Sequence, residues 1–112
     1  MGKILVIDDD QHIRAALPRA LVGHEVHVAE NGAAALPSLL GDEQFDAILC
    51  DLMMPLLNGM QLYQAVRQHA PHRASRFIFM TGGVHGEPLE SFADSLGPRL
   101  IQKPVGRSGG AD

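Results

Sequence analysis

Six polar residues close short apolar runs in this chain of 112 residues, and their types point to one chemistry. Asp8-Asp9-Asp10 follows Ile4–Ile7, Asp51 follows Ala47–Cys50, Thr81 follows Phe77–Met80, and Lys103 comes soon after Leu100–Ile101. Carboxylates gathered within a few ångströms repel one another and want a counter-charge. A hard divalent ion supplies it: Mg²⁺, with Mn²⁺ as the substitute, takes oxygen ligands and keeps waters and phosphate oxygens in its shell. Lys103 brings a compact cation for a phosphoryl oxygen or for Asp51, and Thr81 brings a hydroxyl. A carboxylate beside a metal, an ammonium and a hydroxyl is equipped to attack phosphorus and to hold the resulting acyl phosphate. The metal would act as a Lewis acid on the transferring group.

Those side chains meet only if the apolar runs lie side by side in one sheet. Ile4–Ile7, Val26–Ala29, Ala47–Cys50, Phe77–Met80 and Leu100–Ile101 read as five strands, several of them nearly continuous, as expected where both sheet faces are covered. Between them, Ile13, Ala16, Leu17, Ala20 and Leu21 follow helical spacing, as do Leu62, Ala65 and Val66, and again Leu89, Phe92, Ala93 and Leu96. Asn31-Gly32 and Asn58-Gly59 look like starts of the second and third helices, and Pro88 suits the first turn of the fourth. The alternation predicts a parallel α/β sheet with right-handed crossovers. In the strand order 2-1-3-4-5, strands one, three, four and five are contiguous, and sites in such sheets lie outside the carboxyl ends of the strands. Pro18 and Pro37 fall inside predicted helices at a cost of ~3 kcal/mol for a true interior site, so those helices should be kinked or short.

Composition excludes several classes. The length suits one domain with one core. Thirteen acidic against nine basic residues give a net charge of −4, and only Lys3 and Lys103 are lysines, a poor basis for gripping nucleic acid. Cys50 is the single cysteine, so neither an intrachain disulfide nor a cysteine zinc site is available. No apolar run is long enough to span a membrane, no membrane contact is expected, and the start does not read as a signal peptide. A cytoplasmic setting follows as the expectation. Residues 1–105 read as one domain and residues 106–112 as a linker-like tail without an apolar face.

Taken together, Ile4-Leu5-Val6-Ile7-Asp8-Asp9-Asp10, Asp51-Leu52-Met53-Met54-Pro55 with Gly59, Met80-Thr81-Gly82 and Lys103-Pro104 resemble the receiver domain of two-component response regulators. The resemblance covers roughly residues 3–105 and implies a flavodoxin-like, doubly wound five-stranded parallel sheet. It implies that Asp51 is the phosphoacceptor, taking a phosphoryl group from a histidine kinase or a histidine phosphotransfer protein. It also implies that Asp9 directly, and Asp8 often through water, position the metal, with the Met53 carbonyl as a further ligand. Thr81 and Lys103 would bind phosphoryl oxygens with the Met53 and Gly82 amides, and a cis bond before Pro104 would aim Lys103 inward. The donor would dock on the first helix and the loop after the last strand.

Three departures mark this chain. Leu100 stands where many receivers carry an aromatic residue, so the threonine–aromatic switch does not carry over. No fifth helix is expected after the last strand, which would leave apolar surface for self-association. No output domain follows, which suits either a regulator or the receiver of a hybrid sensor histidine kinase. Two other functions compete: a Mg²⁺-dependent phosphohydrolase with its nucleophile in Asp8-Asp9-Asp10, and a pseudo-receiver that only binds partners. Among plainer roles, Asp10 caps the first helix, Cys50, Met54, Met60 and Met80 pack the core, the histidines are surface residues, and Arg67, Arg73 and Arg76 form a solvated face. Met53, two places after Asp51, could shield an acyl phosphate from water.

Overall fold

The computed structural model describes residues 2–103. In chain order they form β1 (Lys3–Ile7), α1 (Gln11–Ala20), β2 (Glu25–Ala29), α2 (Gly32–Leu40), β3 (Ala47–Asp51), α3 (Gly59–His69), α4 (Pro71–Ala74), β4 (Phe77–Thr81), α5 (Leu89–Asp94) and β5 (Leu100–Gln102). A 3-10 turn over Gly97–Arg99 leads into the last strand. The strands run parallel in the order β2-β1-β3-β4-β5, as the sequence predicted.

The unbroken apolar runs of β1 and β4 are explained by the two faces they serve. Leu5, Ile7, Ile48, Cys50, Phe77 and Phe79 pack beneath α2, α3 and α5 through Leu39, Leu62, Val66, Leu89 and Ala93. On the opposite face Ile4, Val6 and Met80 meet Ile13 and Leu17 of α1. Register between neighbours is thereby fixed, since a one-residue slip would exchange the two faces. The strand ends consequently stay level, and the residues that follow them emerge at one rim.

Local signals start the helices where the site needs them. Asp10 caps α1, its carboxylate accepting the His12 N–H at 2.8 Å. Asn31 caps α2 by accepting the Ala34 N–H. Asn58 and Gln61 form a reciprocal capping box at α3, each side chain accepting the other's backbone N–H at 2.9 Å. Each cap is worth about 1 kcal/mol and fixes the point at which its loop turns back into the fold.

The structure departs from expectation in several places. Lys3 and Glu25 join the strands at their starts and Asp51, Thr81 and Gln102 at their ends, because the parallel ladder continues beyond the apolar runs. α1 and α2 run through Pro18 and Pro37 and end within a turn of them, so the prolines shorten these helices. On α1 only Ile13 and Leu17 are buried, while Ala16 and Ala20 are exposed. α4 is an extra turn after α3, which brings the described helices to five. Arg73 and Arg76 are not merely solvated: their guanidinium groups donate to the Leu39 carbonyl at 2.6 Å and the Phe45 carbonyl at 2.9 Å. The missing helix after the last strand, the tail at 106–112 and the bond at Pro104 all lie outside the described residues.

Candidate functional site

Strand ends bring together most of the residues singled out from the sequence. Asp8 follows β1 directly, Asp51 and Thr81 are the last residues of β3 and β4, and Lys103 follows β5. The ladder continues into this rim: the Leu52 N–H donates to the Met80 carbonyl at 3.0 Å, and the Lys103 N–H to the Thr81 carbonyl at 2.9 Å. Gly59, the first residue of α3, packs against the backbone of β3. A Cβ there would stand 2.6 Å from the Asp51 carbonyl oxygen and 3.0 Å from Leu52 Cα. Only glycine lets α3 begin so close to the end of β3.

At the centre one ammonium bridges two buried carboxylates. Lys103 Nζ donates to Asp8 Oδ1 at 3.2 Å and to Asp51 Oδ2 at 3.1 Å. Asp8 is 0% exposed and Asp51 2%. The Asp10 N–H donates to Asp8 Oδ1 at 2.8 Å, and the Met53 N–H to Asp51 Oδ1 at 3.2 Å. Thr81 is buried beside them, its hydroxyl oxygen accepting the Gly83 N–H at 2.8 Å. A Cβ on Gly82 would only touch Lys103 Cδ, at 3.8 Å, so this position leaves the lysine its space.

The electrostatics follow from that crowding. Burial, then the neighbouring Asp8 charge, pushes Asp51 up to about 6, against the pull of Lys103 and the Met53 amide. Asp8 is likewise raised, chiefly by burial. Burial works against the Lys103 ammonium, but the Asp8 and Asp51 carboxylates outweigh it and hold its pKa above the ordinary lysine value. Asp10, by contrast, is lowered by the backbone N–H it caps. Cys50, buried on the opposite face of β3, is raised by desolvation and stays a thiol.

Asp8, Asp9 and Asp51 each offer a carboxylate oxygen, and these oxygens lie within 4.8 Å of one another. Asp8 Oδ2 is buried and accepts no hydrogen bond, although the Lys103 nitrogen stands 3.0 Å away. Within that ion pair the oxygen keeps a lone pair free to accept a cation. Together with an exposed Asp9, it makes an all-oxygen set that can hold a hard divalent cation. The sequence reading missed Arg14, whose guanidinium donates to the Asp8 backbone carbonyl at 2.9 Å and braces the first acidic loop. Its place one turn into the helix behind the acids was the available signal.

Comparison with known proteins gives a consistent result. The family model of the response regulator receiver domain matches residues 4–108. A response regulator receiver protein of Anaeromyxobacter sp. (strain Fw109-5) is 35% identical over 107 residues, covering 94% of this chain and 44% of that protein. Response regulator protein FleR of Pseudomonas aeruginosa is 38% identical over 85 residues, covering 74% of this chain and 18% of its own. The chain thus spans less than half the length of these curated relatives. Among solved structures, a CheY-like receiver domain protein from Methanospirillum hungatei JF-1 superposes with a TM-score of 0.75 at 26% identity, covering 94% of this chain and 83% of that one. The chemotaxis protein CheY4 of Vibrio cholerae does so with a TM-score of 0.71 at 27% identity, covering 94% and 88%.

Proposed function

This chain belongs to the response regulator receiver domain family, the signalling module of two-component systems, and from that premise we propose that Asp51 is its phosphoacceptor. The observation that carries this reading is the Lys103 ammonium held between Asp51 and Asp8 at the mouth of the sheet. In the proposed reaction an Asp51 carboxylate oxygen forms a bond to phosphorus as the donor's P–N bond breaks, and the electron pair stays on the donor histidine nitrogen. Lys103 and the Thr81 hydroxyl bind phosphoryl oxygens, with the Met53 and Gly82 amides as further donors. Asp8, Asp9, Asp51 and the Met53 carbonyl are the groups that would hold Mg²⁺, or Mn²⁺ in its place. When bound, that cation supplies charge neutralisation to the transferring group.

The module catalyses only its own phosphorylation and dephosphorylation, and its partner is a histidine kinase or a histidine phosphotransfer protein. In this reading residues 1–105 are the receiver unit and residues 106–112 a linker-like tail. Such a unit serves a separate regulator or a hybrid sensor kinase, in the cytoplasm. Among the described residues no helix is long and apolar enough to cross a membrane. The phosphohydrolase alternative needs Asp8 and Asp10 as a working pair, but the Asp10 carboxylate is committed to capping α1. The pseudo-receiver alternative is weakened because acids, hydroxyl and ammonium are all present.

Acetyl phosphate with Mg²⁺ should label the protein once, at Asp51, without sustained release of phosphate. Asp51→Asn, with its circular dichroism unchanged, should abolish the label. An undiminished label in that variant overturns the assignment.

A further inference from the structure

The loop that leaves Asp51 carries a feature the phosphoryl chemistry does not use. Between β3 and α3 the Leu57 N–H donates to the Pro55 carbonyl at 2.8 Å. That bond closes a three-residue γ-turn whose middle residue, Leu56, stands at φ +70°. This hand of γ-turn is rare and strained, and a bulky residue at positive φ is an outlier where glycine or asparagine sits with less strain. The turn does serve the fold. It directs Leu57 inward against the start of α2, where a Cβ on Gly32 would meet Leu57 Cδ2 at 2.9 Å, and Asn58 then caps α3.

The side chain at the apex serves no such purpose. Leu56 is 100% exposed, so it adds nothing to the core. A lone exposed leucine on a relaxed backbone needs no explanation. This one is held out on strained backbone, five residues after Asp51, in a loop that also exposes Pro55 and 37% of Met53. Strain of this kind persists where surrounding structure over-determines it, and it gathers at functional loops.

We propose that Leu56 is the docking anchor for the histidine-phosphorylated donor protein, seating in an apolar recess of the surface that delivers the phosphoryl group. The proposal rests on the reading of Asp51 as phosphoacceptor. Because Asp51 ends β3 and is almost fully buried, a donor that brings phosphorus within bonding distance must close over the loop that begins at the next residue. That would bring Met53, Pro55 and Leu56 into the contact, and of these Leu56 is the fully exposed one. An apolar anchor buried in a partner's pocket carries a large share of binding energy. Acetyl phosphate is too small to use such a contact, so the two kinds of donor separate docking from chemistry.

The test compares wild type with Leu56→Asn and Leu56→Asp, using a set of autophosphorylated histidine kinases and phosphotransfer domains and taking the fastest donor for wild type. Labelling by acetyl phosphate should stay within about twofold in both variants, while transfer from the protein donor should slow by at least about tenfold. Leu56→Asn should also unfold at a urea concentration no lower than wild type, since asparagine tolerates the turn. Unchanged transfer from the protein donor overturns the proposal. So does a wild-type chain that labels with acetyl phosphate but accepts from no protein donor, or a concentration-dependent dimer in sedimentation that either variant abolishes. Failure of acetyl phosphate to label Asp51 in wild type would instead strike the phosphoacceptor reading itself.

Discussion

Replacing Asp51 by asparagine should stabilise the cation-free fold, although Asp51 is the proposed phosphoacceptor. The folded environment raises its pKa from 3.8 to about 6, first by burial and second by the Asp8 charge. Each pH unit is worth about 1.4 kcal/mol, so the penalty for ionising this carboxyl inside the fold has a ceiling of about 3 kcal/mol. The sign follows from linkage. A carboxyl whose folded pKa is raised contributes stability that is fully present below about pH 3.8 and is lost as pH rises through about 6.

Asparagine keeps the shape without the charge, and Lys103 keeps its partner in Asp8. The pull of Lys103 is already contained in that value, but Asp51→Asn turns an amide toward the ammonium and leaves hydrogen-bonding groups imperfectly paired, so the net gain should be about 1–2 kcal/mol at pH 7.5. That gain corresponds to a rise of about 5–10 °C in Tm for a domain of this size. Thermal and urea unfolding followed by far-UV circular dichroism, with a chelator present, measure it across pH 4 to 8. The gap should be smallest at pH 4, open between pH 4 and about 6 and level off above that, and it should narrow again when millimolar Mg²⁺ is added, because the cation stabilises the form that binds it. An Asp51→Asn protein less stable than wild type at pH 7.5, or a gap independent of pH, would refute this electrostatic account.

Three further substitutions separate the parts of the site. Asp9 is exposed, so Asp9→Asn should leave chelated stability unchanged and weaken Mg²⁺ binding by roughly tenfold or more in calorimetric titration; an unaltered titration removes Asp9 from the metal set. Lys103→Ala leaves Asp8 and Asp51 buried without their ammonium and should destabilise by about 3 kcal/mol at pH 8. That loss should shrink toward pH 5 as the raised carboxyls take up protons, and a loss equal at both pH values argues against the bridge. Gly59→Ala improves intrinsic helix propensity, yet its methyl group would stand 2.6 Å from the Asp51 carbonyl. It should therefore cost about 1–3 kcal/mol in urea and slow labelling by acetyl phosphate, whereas a more stable variant shows that α3 can move off β3 freely.

The sheet was legible because burial on two faces writes itself as continuous apolar runs, and the site was legible because polar residues end those runs at one rim. What stayed hidden has local causes. α4 has four residues, too few for any helical period to register. The α1 stripe reads as five apolar positions, but two of them are alanines whose small surface gave no sign that they would remain exposed. Arg14, Arg73 and Arg76 hydrogen-bond to backbone carbonyls, a use of arginine that depends on which loop lies nearby and leaves no spacing pattern. Positive φ at Leu56 was invisible because neither glycine nor asparagine marks it.

The charge count at the rim explains why so unfavourable a cluster is useful. Three carboxylates, from Asp8, Asp9 and Asp51, face one ammonium, which leaves two negative charges in excess, the charge of a single divalent cation. Without the cation, burial first and mutual repulsion second raise Asp51, and burial chiefly raises Asp8, so both carboxyls hold a proton more readily than in water. A bound cation would hold Asp51 ionised and able to act as the proposed nucleophile, because it inverts the local preference for the neutral acid. Under the proposed reaction, phosphorylation would replace the carboxylate by a group of higher negative charge at the same position. In that reading the excess would be taken up by Lys103, the Thr81 hydroxyl and the Met53 and Gly82 amides. The proposal therefore expects the Lys103–Asp8 and Lys103–Asp51 contacts to differ between the phosphorylated and unphosphorylated states.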